Sequence, residues 1–227
     1  MSAKEKCVSY ILKSVVIISA VLGTFLSAYA GRGTFMGGSR VFMYFTIQSN
    51  IAIAIICAIG CFFLMKGTKV REPWYVIKLV GTVAITLTGV VFCVVLAPTL
   101  GVYAWNLQNI LTHVVVPVAA IIDFFVIAVN TRIGKKNVFF VIIPPILYAI
   151  YAGIGYVANW DFAMGVNYPY FFLNWGSPAG AFGFTDGLPF MGTAWWILVL
   201  LLFLLLVGYC YLVLAGILRK ICKKGNK

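Results

Sequence analysis

Two short polar stretches interrupt an otherwise apolar chain, and both carry side chains suited to proton transfer or nucleophilic attack. In Thr46-Ile47-Gln48-Ser49-Asn50, the residues Thr46, Ser49 and Asn50 are spaced by three and four positions and share one helix face. The second stretch places Asn106, Asn109 and His113 on one face, and His113 is the only histidine of the protein. A hydroxyl is a weak nucleophile at neutral pH and needs a base beside it; an imidazole with an ordinary pKa of about 6.5 is suited to take that proton. Thr46 is therefore the candidate nucleophile and His113 the candidate base. Asn50 or Gln48 could donate to a developing oxyanion, with Ser49 as a further supporting group. Asn109, one turn before His113, could hold the imidazole in one tautomer. The plainer alternatives are a threonine bonded to its own helix backbone and a helix-end histidine that reaches interfacial water.

The elements that must position these residues follow from composition. Of 227 residues, 63% are hydrophobic and 10% charged, and the mean hydropathy is +1.05, well beyond a soluble domain. Apolar runs of spanning length fall at about 10–30, 44–65, 75–98, 108–128, 137–158 and 193–217. The expected fold is an all-α integral membrane protein, one bundle of about six transmembrane helices over residues 1–227. With a rise of about 1.5 Å per residue, Thr46 and His113 both fall within roughly two turns of the same membrane face. Pro117, four residues after His113, cannot donate to the His113 carbonyl and should bend the fourth helix. Pro144-Pro145 should kink the fifth.

Charge sets the orientation. The net charge is +12, and fifteen of the seventeen Lys and Arg fall on one side if both termini are cytoplasmic: Lys4, Lys6, Lys13, Lys66, Lys69, Arg71, Lys78, Arg132, Lys135, Lys136, Arg219, Lys220, Lys223, Lys224 and Lys227. Only Arg32 and Arg40 fall outside. Basic clusters between apolar runs fit membrane orientation and anionic lipid, not nucleic acid. Ala28-Tyr29-Ala30 resembles a signal-peptidase site, but the apolar stretch before it is long for a signal peptide and is expected to stay as the first helix. Asp123 should meet Arg132, Lys135 or Lys136 at the inner end. The stripe Thr82, Thr86, Gly89, Cys93 should be a packing seam.

The six cysteines lie in or beside apolar runs, so no disulfide framework is expected. Cys57 and Cys61 share a helix face, but no second ligand type accompanies them; no metal and no cofactor are expected. The stretch 158–192 has no Lys or Arg and is rich in aromatics, among them Trp160, Phe162, Phe172 and Trp175. It suits an aromatic belt at the headgroup level or a lid over an outward-facing cavity, with Tyr168, Pro169 and Tyr170 as lid candidates, and both can hold. Glycine-rich phosphate loops, zinc signatures, nucleophile elbows and internal repeats are absent.

Tyr44-Phe45-Thr46 with Ser49-Asn50, Asn109 with His113 before Val116-Pro117, and Tyr168-Pro169-Tyr170 together resemble the androgen-induced gene product family. That family includes the androgen-dependent TFPI-regulating protein and bacterial six-helix relatives. The resemblance implies an intramembrane hydrolase that cleaves fatty acid esters of hydroxy fatty acids, with Thr46 as nucleophile and His113 as base. The histidine-to-proline spacing is one residue shorter than in animal members, and Ser49 stands where they carry an acid. The expectation is a hydrolase of a lipid-like ester, its site near the outer face of a multi-pass protein in a bacterial plasma membrane, with membrane lipids as the other partners. Two other classes remain: a small transporter or proton-coupled channel with His113 as relay, and a non-enzymatic membrane protein that binds a lipid or a partner.

The charge asymmetry makes a direct prediction. Single cysteines at Gly38 and Gly180 should react with an impermeant thiol reagent from outside intact cells, and one at Gly134 should not. Labelling at Gly134 would invert the topology.

Overall fold

The computed structural model describes residues 1–30, 38–68, 70–128 and 130–225. Arg32, Lys69 and Lys227, assigned to sides of the membrane above, lie outside the described residues. Among the described residues, six helices are long and apolar enough to span a bilayer: α1 (Ala3–Tyr29), α2 (Phe45–Lys66), α3 (Glu72–Ala104), α4 (Leu107–Ala128), α5 (Lys135–Val157) and α6 (Thr193–Lys224). The chain is thus built as a multi-pass integral membrane protein. An even number of spans puts both termini at one end, called here the basic end; the opposite, aromatic end holds the long loop.

Several helices run past their apolar cores because polar flanks continue them. α1 starts early on a capping box, in which the Ser2 amide donates to Glu5 Oε2 (2.7 Å) and the Glu5 amide to Ser2 Oγ (3.2 Å). α3 starts on Pro73, whose missing N–H costs nothing in a first turn. Pro144 and Pro145 do not kink a continuous helix. α5 is a tight 3₁₀ helix over Lys135–Ile142 and becomes α-helical at Ile143, so both prolines sit in the first turn of the α segment.

α3 is the centre of the bundle: every residue from Gly81 to Gly89 is buried. On one side Val16, Ile53, Ile85 and Val116 join α1, α2, α3 and α4 in a core. On the other Leu79, Val83, Phe124 and Leu204 join α3, α4 and α6. Outward-facing residues such as Ile18, Phe62, Val118 and Leu206 are exposed, as a lipid-facing surface requires. The long loop divides in two. Phe162, Phe172 and Leu173 are buried beneath the aromatic end, whereas Phe182, Phe184 and Phe190 stand exposed. One part covers the bundle, and the other has the exposure of an interfacial belt.

Lys13, Lys78 and Asp123 correct the reading of charge. Lys13 and Lys78 are not solvated flank residues, and Asp123 meets neither Arg132 nor the lysines after it. Lys13 Nζ lies 2.6 Å from Asp123 Oδ1 and Lys78 Nζ 2.7 Å from Oδ2, all three side chains at most 4% exposed. Ser9 Oγ donates to Asp123 (2.6 Å) and accepts from Lys13 (2.5 Å), while Lys78 reaches Cys57 Sγ at 3.4 Å. The stem of Lys13 passes α2 at Gly60, where a Cβ would lie 2.7 Å from its Cε. A helix turn alone cannot reveal this, because the partners come from three helices.

Two predictions follow from these contacts. Gly38 and Gly180 have φ of +66° and +54°, so a cysteine is strained at either; the exposed Ser39 and Asp186 are better reporters of the same side. Asp123→Ala strands two buried lysines and should cost about 3–5 kcal/mol, read as a fall in thermal stability in detergent, while Lys13→Met, Lys78→Met and Asp123→Leu together should recover most of it. An unchanged melting temperature in Asp123→Ala would refute the pairing.

Candidate active site

Thr46 is the second residue of α2, after Tyr44, whose extended backbone caps the helix. The first amides of a helix have no intrahelical acceptor, so the N–H groups of Phe45 and Thr46 point out of the helix end beside the threonine hydroxyl. The Thr46 amide donates to the Tyr170 hydroxyl at 3.4 Å, and Thr46 Oγ1 lies 3.4 Å from the same phenol oxygen. Thr46 is half-buried.

His113 arrives from α4. Asn106 caps that helix by accepting from the Asn109 amide at 2.9 Å. The helix then widens into a π-turn over Leu111–Val115, closed by a bond from the Val116 amide to the Leu111 carbonyl, two residues before Pro117. α3 does the same over Phe92–Leu96, where the Ala97 amide bonds Phe92 O two residues before Pro98. A π-turn adds one residue and rotates the side chains ahead of it. In consequence the Phe92 ring stacks on the imidazole, centroids 3.8 Å apart and planes inclined by 21°.

The structure places Thr46 Oγ1 3.4 Å from His113 Nε2. That is well inside the roughly 6 Å that one bridging water spans, and uncomplexed sites often hold such contacts long. The other ring nitrogen settles the tautomer. Nδ1 lies 3.1 Å from the Asn109 carbonyl, which only accepts, and 3.0 Å from Thr112 Oγ1, which already donates to the Gln108 carbonyl. Nδ1 therefore carries the proton and the Nε2 lone pair faces Thr46. His113 is 8% exposed, and among the described residues no charged side chain bonds it.

The supporting residues take different parts from those expected. Asn109 orients the imidazole through its backbone carbonyl, its side chain donating instead to Ala104 O at 2.9 Å. Both Asn50 N–H groups are committed, to the carbonyls of Thr46 (2.8 Å) and Thr112 (3.1 Å), so Asn50 ties α2 to α4 and has no donor left for a substrate. Ser49 Oγ lies 3.0 Å from Thr46 O and 2.7 Å from Thr88 Oγ1, tying α2 to α3. Gln48 donates to Phe42 O at 3.0 Å and lines a different cavity from Thr46. Tyr170 is more intimate than a lid: it contacts the threonine directly and stacks on Phe172 at 5.0 Å. Pro169 beside it is buried and Tyr168 half-buried. Burial pushes the Tyr170 hydroxyl above the ordinary phenol pKa, against hydrogen bonds from Thr46 that pull it down, so it stays protonated and able to donate. Sequence spacing could not place it, because it comes from a loop more than a hundred residues away.

Thr46, Thr88, Phe92, Tyr148, Tyr170 and Leu173 line a small cavity of about 60 Å³ at this point. Among the described residues no group of three or more His, Cys, Asp or Glu is placed to hold a metal. No protein-family profile, curated protein or solved structure matches the chain.

Proposed function

We propose that the protein is a membrane-embedded hydrolase of a lipid-like ester, with Thr46 as nucleophile and His113 as general base. The observation that carries this reading is the 3.4 Å approach of Thr46 Oγ1 to a His113 Nε2 whose lone pair is directed by the Asn109 carbonyl on Nδ1. The resemblance to the androgen-induced gene product family supports it from a separate direction, since two of the three segments that carry the resemblance hold these two side chains. On the charge asymmetry, the site lies near the outer face.

The chemistry follows from the groups present. Nε2 takes the hydroxyl proton as Oγ1 attacks the ester carbonyl. The carbonyl oxygen becomes an oxyanion, for which the candidate donors are the amides of Phe45 and Thr46 at the start of α2 and the Tyr170 O–H beside them. The positive end of α2 favours that charge. On collapse the C–O ester bond breaks, His113 returns its proton to the departing alkoxide, and an acyl-threonine remains. Water, deprotonated by the same Nε2, then releases the acid and regenerates the hydroxyl. A carbonyl in place of a carboxylate on Nδ1 fixes the tautomer but stabilises the imidazolium less.

The relay alternative is disfavoured by the layer below the site. Ile53, Ile85 and Val116 are fully buried there, and the Thr82 and Thr86 hydroxyls beside them donate to carbonyls of their own helix at 2.7 Å, so this layer offers little to carry a proton to the Lys13–Asp123–Lys78 cluster.

Thr46→Ala and His113→Ala should each cost at least about a thousandfold in ester hydrolysis, the double variant little more, as for residues that act as a unit. Thr46→Ser should keep measurable activity. Tyr170→Phe should lose about a hundredfold in kcat while still reacting with a fluorophosphonate probe, because it removes an oxyanion donor and leaves the nucleophile. Undiminished hydrolysis by folded Thr46→Ala would falsify the assignment.

A further inference from the structure

A second and much larger cavity, about 980 Å³, lies along the bundle between α2 and α5 with α3 as its floor. Its volume is at the upper end of the range for small-molecule sites. It is a trough more than a chamber. The floor and near wall are kept low by Ala52, Gly81 and Ala84, and a Cβ on Gly81 would already lie 2.5 Å from Ile56 Cδ1. From Ala84 to Glu72 the floor runs about 18 Å at the helical rise, most of the thickness of the bilayer core.

Polar side chains occur only at its two ends. At the basic end Glu72 and Asn137 close the trough: Glu72 Oε1 accepts from the Gly134 amide and from Asn137 Nδ2, each at 3.0 Å. At the aromatic end it reaches Gln48 and Ser49. There Phe45 and Tyr148, ring centroids 5.3 Å apart, line both this trough and the small cavity that holds Thr46. The pair forms a thin aromatic partition between them.

We infer that the trough holds one long, unbranched acyl chain of the substrate. The chain runs from the carbonyl at Thr46, past the Phe45–Tyr148 partition, towards Glu72. The occupant follows from the surroundings. The trough is an apolar wall at hydrocarbon depth, so what fills it is a hydrocarbon chain already in the bilayer. Its low floor of small residues suits a linear chain. Of its two polar ends only the aromatic one adjoins Thr46, which fixes where the ester must sit. This inference rests on the hydrolase reading for the identity of the carbonyl, but the chain site can be tested without turnover.

The experiment uses the full-length protein in detergent with p-nitrophenyl esters of two, eight and sixteen carbons. Ala52→Phe, on the exposed wall about 9 Å below Thr46, should lower hydrolysis of the sixteen-carbon ester by more than about tenfold and leave the two-carbon ester within twofold. Val76→Phe, nearer Glu72, should penalise only the longest chain. Equal losses at all lengths, or none, would overturn the chain site. In parallel, palmitic acid with a terminal diazirine is photolysed on Thr46→Ala and its adducts are mapped by mass spectrometry. Adducts on Val76, Ile77 or Phe140, suppressed by excess palmitate, support the trough even if the wild type hydrolyses nothing, in which case only the hydrolase reading falls. Adducts confined to the outward face of α6, with wild-type hydrolysis intact, overturn the trough and leave the hydrolase standing.

Discussion

The close approach of α3 to α4 at Gly89 is the constraint on which the site depends. A Cβ there would lie 2.8 Å from the His113 carbonyl oxygen and 3.2 Å from the Pro117 ring, so any other residue would push the two helices apart. The residues on either side of Gly89 show what that separation would cost. Thr88 bonds Ser49 and so holds the first turn of α2, and Phe92 covers the face of the imidazole. Pro117 takes part by removing the amide that would otherwise bond His113 O in a regular helix, which the π-turn then accommodates. One backbone contact thus sets the positions of the proposed nucleophile, the proposed base and the ring that shields the imidazole.

The bundle separates its polar groups by depth. Near the aromatic end, among the described residues, the groups bonded to Thr46 and His113 are neutral, and Asn50, Ser49 and Thr112 each bond a backbone carbonyl. About 15 Å away along the helices, towards the basic end, the charges are gathered on Asp123, with an apolar layer between. In a low-dielectric interior a stray charge near His113 would bias its protonation strongly. Confining both buried lysines to one carboxylate keeps that field compact, and at the same time clamps α1 and α3 onto α4.

The spans were legible from hydropathy alone, because the bilayer leaves the backbone little choice but helices of a set length. The depth match of Thr46 and His113 is legible too, since each lies within the first two turns of a helix that starts at the same end and the rise per residue is fixed. Other features were hidden for definite reasons. That Asn109 works through its carbonyl depends on its side chain turning away to Ala104 O. That Asn50 spends both donors on backbone depends on how near α4 comes. Tyr170 was expected as a cover and is instead a contact, because the loop folds back under Phe172. Lys13 and Lys78 were miscounted with the solvated flank, since a positive-inside tally cannot see a carboxylate on a third helix.

The placement of Thr46 at a helix start explains why a threonine without an acidic partner can be proposed as a nucleophile. In an interior turn its hydroxyl would bond the carbonyl four residues back, as Thr82 and Thr86 do at 2.7 Å. As the second residue of α2 it has no such helical carbonyl, so the hydroxyl is left for Nε2 and Tyr170. The same position supplies amides that have no helical carbonyl to bond, and the positive end of the helix dipole. One structural fact, the start of α2 at Phe45, therefore leaves the Thr46 hydroxyl free of its own helix and, in the proposed reaction, provides donors for the charge its attack would create. Tyr44, buried with its hydroxyl on Phe162 O at 3.2 Å, fixes that entry point. The loop residue Phe162 thereby anchors the turn from which the whole arrangement starts.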